Sequence, residues 1–584
     1  MFFFVHLHQI LYKYFMKKIN WAFMLLFMTT LMACSNDENV MEQESVSTAT
    51  TTQKKLNGKI PFTVENVQKA LPEVLKHYQE TKPAVAERFR NYDVKPTHIY
   101  YKFIPRDSIQ YSVLMEQESV LNLTTDPLEY DRVEKTEDPG ENEIPVFYAI
   151  VNIEQRLPEV PREKIAELHV TNEDNLEDAE HNYDEIEFKQ NLMYQARKLA
   201  GHLDDDELAG GFLNIHKDFN EPGKDTAAKG LFPKKWRPWG VVKVEDDYLS
   251  DRRNGNKAYH QVANCRVNVL KWGFIPVESG MTNADGYFAT GSTYTTHVHY
   301  NLKFTDEHKV IVKSGNFFDV ANYMSDSHKR RHLDATFQRG TKMQFYALIN
   351  HAAWDYFNRV VPVYGIYNPG SIEISGHFND HNSNYWFGFV PFRSEVKIGA
   401  KESDGSRKKS DEIYATVIHE MTHKAHYKMD PGVFNSIAGT AAKHKKFLRE
   451  SWAECVETQA TNDRYTSYFT QYALGNYVSS PLQGWATNVI RTWNGERQYA
   501  TLASMDEYSS LIIDLMDNFN QNNFNNIYPV DRVSGYTLKQ IQTALNSSYT
   551  VDSFYDKLES LYNNSTEVHL NTFKTNANTI VNSL

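Results

Sequence analysis

The stretch Asp411-Glu412-Ile413-Tyr414-Ala415-Thr416-Val417-Ile418-His419-Glu420-Met421-Thr422-His423 carries the residue types and spacing best suited to chemistry in this chain. It reads as a helix. Two acids in the first turn oppose the positive end of the helix dipole, Ser410 or Asp411 can cap it, and Asp430-Pro431-Gly432 stops it. Residues four apart on a helix lie one above the other, so His419 and His423 aim two imidazoles at one point. Two neutral ring nitrogens so placed suit zinc. Glu420 sits one residue round the helix, near enough to take a proton from water held there without being a ligand itself.

A catalytic metal site wants a third protein ligand and an open position. His426 is the nearest histidine, but a straight helix carries it about 10 Å beyond His419 along the axis, so it reads as a supporting or surface residue. Further on, Leu448-Arg449-Glu450-Ser451-Trp452-Ala453-Glu454-Cys455-Val456-Glu457 reads as a second helix, with Glu450 and Glu454 on one face. Either carboxylate can complete the set.

Together these two stretches resemble gluzincin metallopeptidases, in which a His-Glu-x-x-His helix is followed by a helix that supplies a glutamate ligand. The resemblance covers residues 335–475. It implies Glu450 as third ligand beside His419 and His423, and Zn2+ as cofactor. It also implies Glu454 as the residue that orients a ligating histidine, and Glu420 as general base in peptide hydrolysis. The metzincin pattern does not fit, because His426 and Met429 stand where it has a glycine turn and a further histidine. The gluzincin fold further implies a sheet whose edge strand takes up an extended peptide, with Glu395 to Gly399 as the candidate. Tyr465, Tyr468 and His444 are the candidates for stabilising the developing oxyanion.

The elements that must position this chemistry follow a leader. Met16-Lys17-Lys18 precedes a mostly apolar run from Ile19 to Leu31, and Leu31-Met32-Ala33-Cys34 closes it. This resembles a bacterial lipobox and implies a signal peptide over residues 1–33 with lipid on Cys34. Ser35-Asn36-Asp37-Glu38 resembles the surface-export signals of Bacteroidota lipoproteins, which implies an outer-membrane lipoprotein displayed on the cell surface. Residues 34–57 are Ser-, Thr-, Glu- and Gln-rich and read as a flexible tether.

Residues 58–235 read as an α+β domain, with helices over Val64 to Tyr78 and Tyr183 to Leu199, strands over His98 to Ile104 and Pro145 to Ile153, and a loop over 124–144. Within it, Thr97 to Tyr130 resembles the N-terminal region of Bacteroidota lipoproteins. Residues 236–315 read as all-β. Thr282-Asn283-Ala284-Asp285-Gly286-Tyr287-Phe288 there is a turn feeding a strand, and the module resembles the carboxypeptidase regulatory-like β-sandwich, with Asn283 where that pattern has Asp. Residues 316–584 form the expected zincin-like catalytic domain, a small sheet plus helices, with a long helix over 335–360. The expected fold class is therefore multidomain α+β.

The net charge of −12 over 584 residues argues against a nucleic-acid partner, which requires a basic face. Cys265 and Cys455 are the thiols left once Cys34 is lipidated, too few for a disulfide scaffold, and they read as isolated buried thiols. The expected partners are a protein or peptide substrate, and the membrane through the Cys34 lipid. The long N-terminal region, the β-sandwich and the high aromatic content support a second reading, a non-catalytic surface binding or adhesion lipoprotein.

Overall fold

The computed structural model describes residues 60–125, 144–171, 183–203, 236–271, 275–294, 298–305, 310–315, 320–325, 332–385, 396–435, 440–477, 512–518 and 530–583, with residues 208, 211, 212, 273 and 520. The leader, Cys34, the tether and most of the loop expected over 124–144 lie outside the described residues. The protein is mixed α+β with several sheets. No helix among the described residues is long and apolar enough to cross a membrane.

In the N-terminal region, helix α1 (Val64–Thr81) and helix α2 (Tyr183–Ala200) pack together beside a three-stranded antiparallel sheet. That sheet comprises β1 (His98–Phe103), β2 (Phe147–Asn152) and β3 (Arg162–Leu168), in the order β2-β1-β3. The α1 stripe Val67, Ala70, Val74 and Tyr78 is fully buried against Phe188, Leu192 and Ala196 of α2, as the 3.6-residue period predicts.

The next strands are β4 (Trp239–Asp246), β5 (Ala258–Gln261), β6 (Arg266–Lys271), β7 (Ile275–Met281), β8 (Tyr287–Ala289), β9 (Val298–Lys303), β10 (Val310–Lys313), β11 (Asn322–Met324) and β12 (Leu333–Phe337). One sheet has the order β11-β9-β6-β7, and another has β12-β4-β5 with β8 on β4. The turn before β8 forms as the sequence requires. Asn283 Oδ1 accepts the amides of Asp285 at 2.9 Å and Tyr287 at 3.0 Å, so a neutral amide does what a carboxylate does in the related pattern. Gly286 has φ +67° and a Cβ there would lie 2.4 Å from the Val242 carbonyl, so only glycine fits. On the β6/β9 sheet Arg266 faces Lys303 directly, and the Glu118 carboxylate of the N-terminal region pairs with both.

Sheet pairing crosses the boundary expected at residue 315. The parallel partner of β4 is β12, β11 pairs with β9, and β10 pairs in parallel with β13 (Ile372–His377). A single buried apolar cluster runs from Val242 to Val581. Strand composition marks where strands are, but long-range pairing decides their company.

The helix expected over 335–360 begins later. Leu333, Ala335 and Phe337 are buried in alternation as strand β12. The chain then turns at Gly340, φ +77°, and Thr341 caps helix α3 (Lys342–Asp355), its hydroxyl accepting the Gln344 amide at 3.1 Å. A π-helical turn, Tyr356–Val360, continues it. Helix α3 lies on the sheet β10-β13-β15-β14, where β14 is Asn384–Tyr385 and β15 is Val396–Gly399. A Cβ on Gly376 of β13 would meet Ile349 of α3 at 2.9 Å, which shows how close that approach is. The segment expected as the edge, Glu395 to Gly399, is thus mostly β15 and lies inside the sheet. Among the described residues the short antiparallel β14 forms the rim.

Candidate metal centre

Helix α4 (Ser410–Met429) contains the His-Glu-x-x-His stretch, and helix α5 (Thr440–Gln471) contains the downstream glutamates. The N-cap of α4 is Lys409 rather than Ser410 or Asp411: its amide donates to Glu412 Oε2, closing the first turn. The Ser410 hydroxyl instead donates to Asp247 Oδ1, and Asp411 accepts from the Tyr477 hydroxyl at 2.9 Å. These contacts dock the start of α4 rather than cap it. The helix stops at Asp430, whose Oδ1 accepts the Gly432 amide at 2.9 Å and starts the turn Pro431–Phe434. Ile413, Val417, Ile418 and Met421 bury α4 in the main core, so its register is held from behind.

Helix α5 runs back along α4. His423 meets Glu450, His419 meets Glu450 and Glu457, and Tyr414 meets Tyr465 at a ring separation of 5.9 Å. Glu450 Oε2 lies 3.0 Å from His423 Nε2 and 3.7 Å from His419 Nε2. Three donors around a tetrahedral ion with bonds near 2.0–2.1 Å stand roughly 3.3 Å apart, so the two distances bracket that spacing. His419, His423 and Glu450 are all buried, and their donor atoms lie within 4.8 Å of one another, a group able to hold a metal ion.

The orientation of His419 comes from a residue the sequence reading did not single out. Its Nδ1 is 2.9 Å from Glu457 Oε2 and 3.8 Å from Glu454 Oε2. Glu454, expected as the orienting carboxylate, is therefore the farther of the two. Positions 450, 454 and 457 share one face of α5, and only the packing of α5 on α4 brings Glu457 rather than Glu454 onto His419. With Nδ1–H donated to a carboxylate, His419 Nε2 carries the lone pair on the side that faces Glu450 Oε2.

The electrostatics suit that arrangement. Burial lowers the His423 pKa below the usual histidine range despite Glu450, which favours the uncharged imidazole. Burial works against ionisation of Glu450, but His423, the contacts of both histidines and the Arg449 charge outweigh it and hold the carboxyl well below the usual range. Glu420 goes the other way: burial, opposed by His419 and reinforced by Glu450 and Glu457, pushes it up to about 8. Its Oε2 has no hydrogen-bond partner. Two glutamates within one site are thus driven in opposite directions, Glu450 toward the ionised form and Glu420 toward the protonated one.

Other expected residues lie elsewhere. His426 is 1% exposed, packs on Phe434 at 5.5 Å, and has no hydrogen bond at either nitrogen, so it is a core histidine and not a surface one. Tyr465 donates to Asp246 at 3.0 Å, the Tyr468 hydroxyl contacts His351 Nε2 at 3.2 Å, and His444 Nδ1 accepts the Val551 amide at 3.2 Å. Tyr465 stands about 22 Å beyond Glu450 along α5 and Tyr468 farther still, which puts both away from the His419, His423 and Glu450 group. Tyr385 of β14, its ring stacked 6.3 Å from His423 at 24°, is the tyrosine nearer the site. Cys265 and Cys455 are free, buried thiols.

The chain matches no family model and no curated protein.

Proposed function

We propose that this protein is a zinc metallopeptidase of gluzincin type, anchored at the outer membrane through lipid on Cys34. The observation that carries the reading is the convergence of His419 Nε2, His423 Nε2 and Glu450 Oε2 beside Glu420, whose proton affinity is raised to about 8. Two neutral imidazoles and one carboxylate are the donor set of a catalytic zinc site with one position left for water. Zinc in that site supplies Lewis acidity, lowering the pKa of water toward neutrality and polarising a carbonyl.

Glu420 then works as the base. A divalent cation held by His419, His423 and Glu450 would lower the Glu420 pKa from the value set by burial, toward a range where Glu420 both accepts and returns a proton near neutral pH. It takes the proton of the attacking water and delivers it to the leaving amine. Glu457 keeps His419 in the Nδ1–H tautomer throughout. An extended substrate adds beside β14, and the Tyr385 hydroxyl is the group we assign to the developing oxyanion. In this reading the strands before residue 315 retain the carboxypeptidase regulatory-like module as a scaffold that shares its sheets with the zincin-like part. The adhesion reading has one supporting observation: Trp239 and Tyr287 expose their rings side by side, 6.0 Å apart, on the β4/β8 surface.

The test is metal content by elemental mass spectrometry of a soluble form beginning at Ser35, with chelator-sensitive cleavage of an unstructured protein alongside. About one zinc per chain is expected, and none in His423→Ala. A protein that takes up no zinc after reconstitution ends the peptidase reading.

A further inference from the structure

Arg449 is bound to the ligand carboxylate in an unusual way. Consecutive residues on a helix point about 100° apart and do not normally meet. Here the guanidinium folds back so that Nε, at 2.9 Å, and Nη2, at 2.8 Å, both reach Glu450 Oε1. It is held there over the ring of Phe434, 5.3 Å from the centroid. Phe434 is itself buried and packs on His423 at 6.3 Å, so the stack ties the arginine to the metal side of α4. The usual arginine–carboxylate fork places one donor on each oxygen; here both donors fall on one. Oε1 is thereby occupied, and Oε2 is the oxygen turned to both histidines.

Resting on the zinc reading of this site, we infer that Arg449 is a positioning residue that makes Glu450 a one-oxygen ligand. A glutamate can ligate through one oxygen or two, and the second oxygen would take the position that water and substrate need. By holding Oε1 with two charged hydrogen bonds, Arg449 keeps that position open. It also withdraws charge from the carboxylate, which leaves the ion a stronger Lewis acid. The role differs from that of Glu457, which acts on a histidine tautomer and leaves the number of donor atoms unchanged.

The experiment is cobalt substitution of the whole soluble chain, comparing the parent, R449A and R449K. Four-coordinate cobalt(II) absorbs visible light much more strongly than five- or six-coordinate cobalt. R449A is expected to bind cobalt at least as tightly as the parent, with weakened visible absorption. Its kcat on a peptide substrate should fall about 10–100-fold with KM little changed. R449K, with a single ammonium able to reach Oε1, is expected to recover part of both signals. An R449A protein with the parent's spectrum and kcat overturns the inference. If R449A does not fold, R449Q is read on the same two scales, and a parental spectrum there overturns it equally. A parent chain that binds neither cobalt nor zinc is a different failure, that of the peptidase reading itself.

Discussion

Two buried polar clusters are built on the same pair of helices, and they differ in how their charge is settled. In one, Asp355 of α3 meets Arg359 at 2.8 Å, Arg464 at 3.3 Å and the Tyr414 hydroxyl, while nearby Asp246 meets His260 at 2.7 Å and Tyr465 at 3.0 Å. Asp355 gathers two guanidinium groups and a hydroxyl, so the cluster locks α3, α4 and α5 together, with Arg464 Nε left without a hydrogen-bond partner. In the other, Glu420, Glu450, Glu454 and Glu457 crowd around two histidines. Arg449 contacts Glu450, while Glu420 Oε2 and His423 Nδ1 have no hydrogen-bond partner. Buried acceptors in excess of donors are costly. A chain retains them where a cation completes the set. The first cluster pairs its charges and is a frame, while the second gathers carboxylates and imidazoles in a group able to hold a metal ion.

This contrast can be broken or sharpened by experiment. The largest effect is expected from Glu420→Gln, which keeps the shape and removes the base: peptide cleavage falls by about 10²–10⁴-fold, with zinc content unchanged. Full activity in that variant removes Glu420 from the mechanism. Asp355→Ala strikes the frame, leaving Arg359 and Arg464 buried without their carboxylate. Urea unfolding should then show a loss of about 3–5 kcal/mol, while the folded fraction still binds zinc. Equal loss of metal and stability would show that the clusters are one unit. Chelation strikes the site alone. With zinc at 100 to 1,000 times its Kd the folded state gains about 3–4 kcal/mol, so the melting temperature drops in chelator and returns with zinc. In His423→Ala that response should disappear. The smallest change is expected from Glu457→Gln, which retains a hydrogen-bonding group but not the charge on His419; competition titration should report zinc affinity about 10-fold weaker, the low end for second-sphere changes. Glu454→Gln, beginning from a longer contact, should change it less.

How much of this was legible along the chain depends on the range of the signal. The α1 and α2 helices, strands β1 and β2, and the Asn283–Gly286 turn follow from local periodicity and turn chemistry, and their bounds match the expected ones to within a few residues. The start of α3 was misread because Phe337 is apolar in either period; Gly340 with its positive φ, followed by Thr341, is the break that separates strand from helix. The sheet edge was misplaced because β14 is only Asn384–Tyr385, too short to carry an alternation. Tyr465 and Tyr468 looked like site residues because they follow the ligand in sequence, but a continuous helix takes them away from it.

What the sequence by itself determined is the content of each helix face. His419 and His423 share a face, and Glu450, Glu454 and Glu457 share another, because 3.6 residues per turn is a property of the backbone alone. What only the tertiary structure decided is which members of those faces meet. The selection of Glu457 over Glu454 at His419, the folding of Arg449 onto one oxygen of Glu450, and the passage of β10 to β13 and β4 to β12 across the expected boundary depend on how helices and strands far apart in sequence pack. Packing sets those distances through core side chains spread from Val242 to Val581, and no local pattern encodes an interhelical distance.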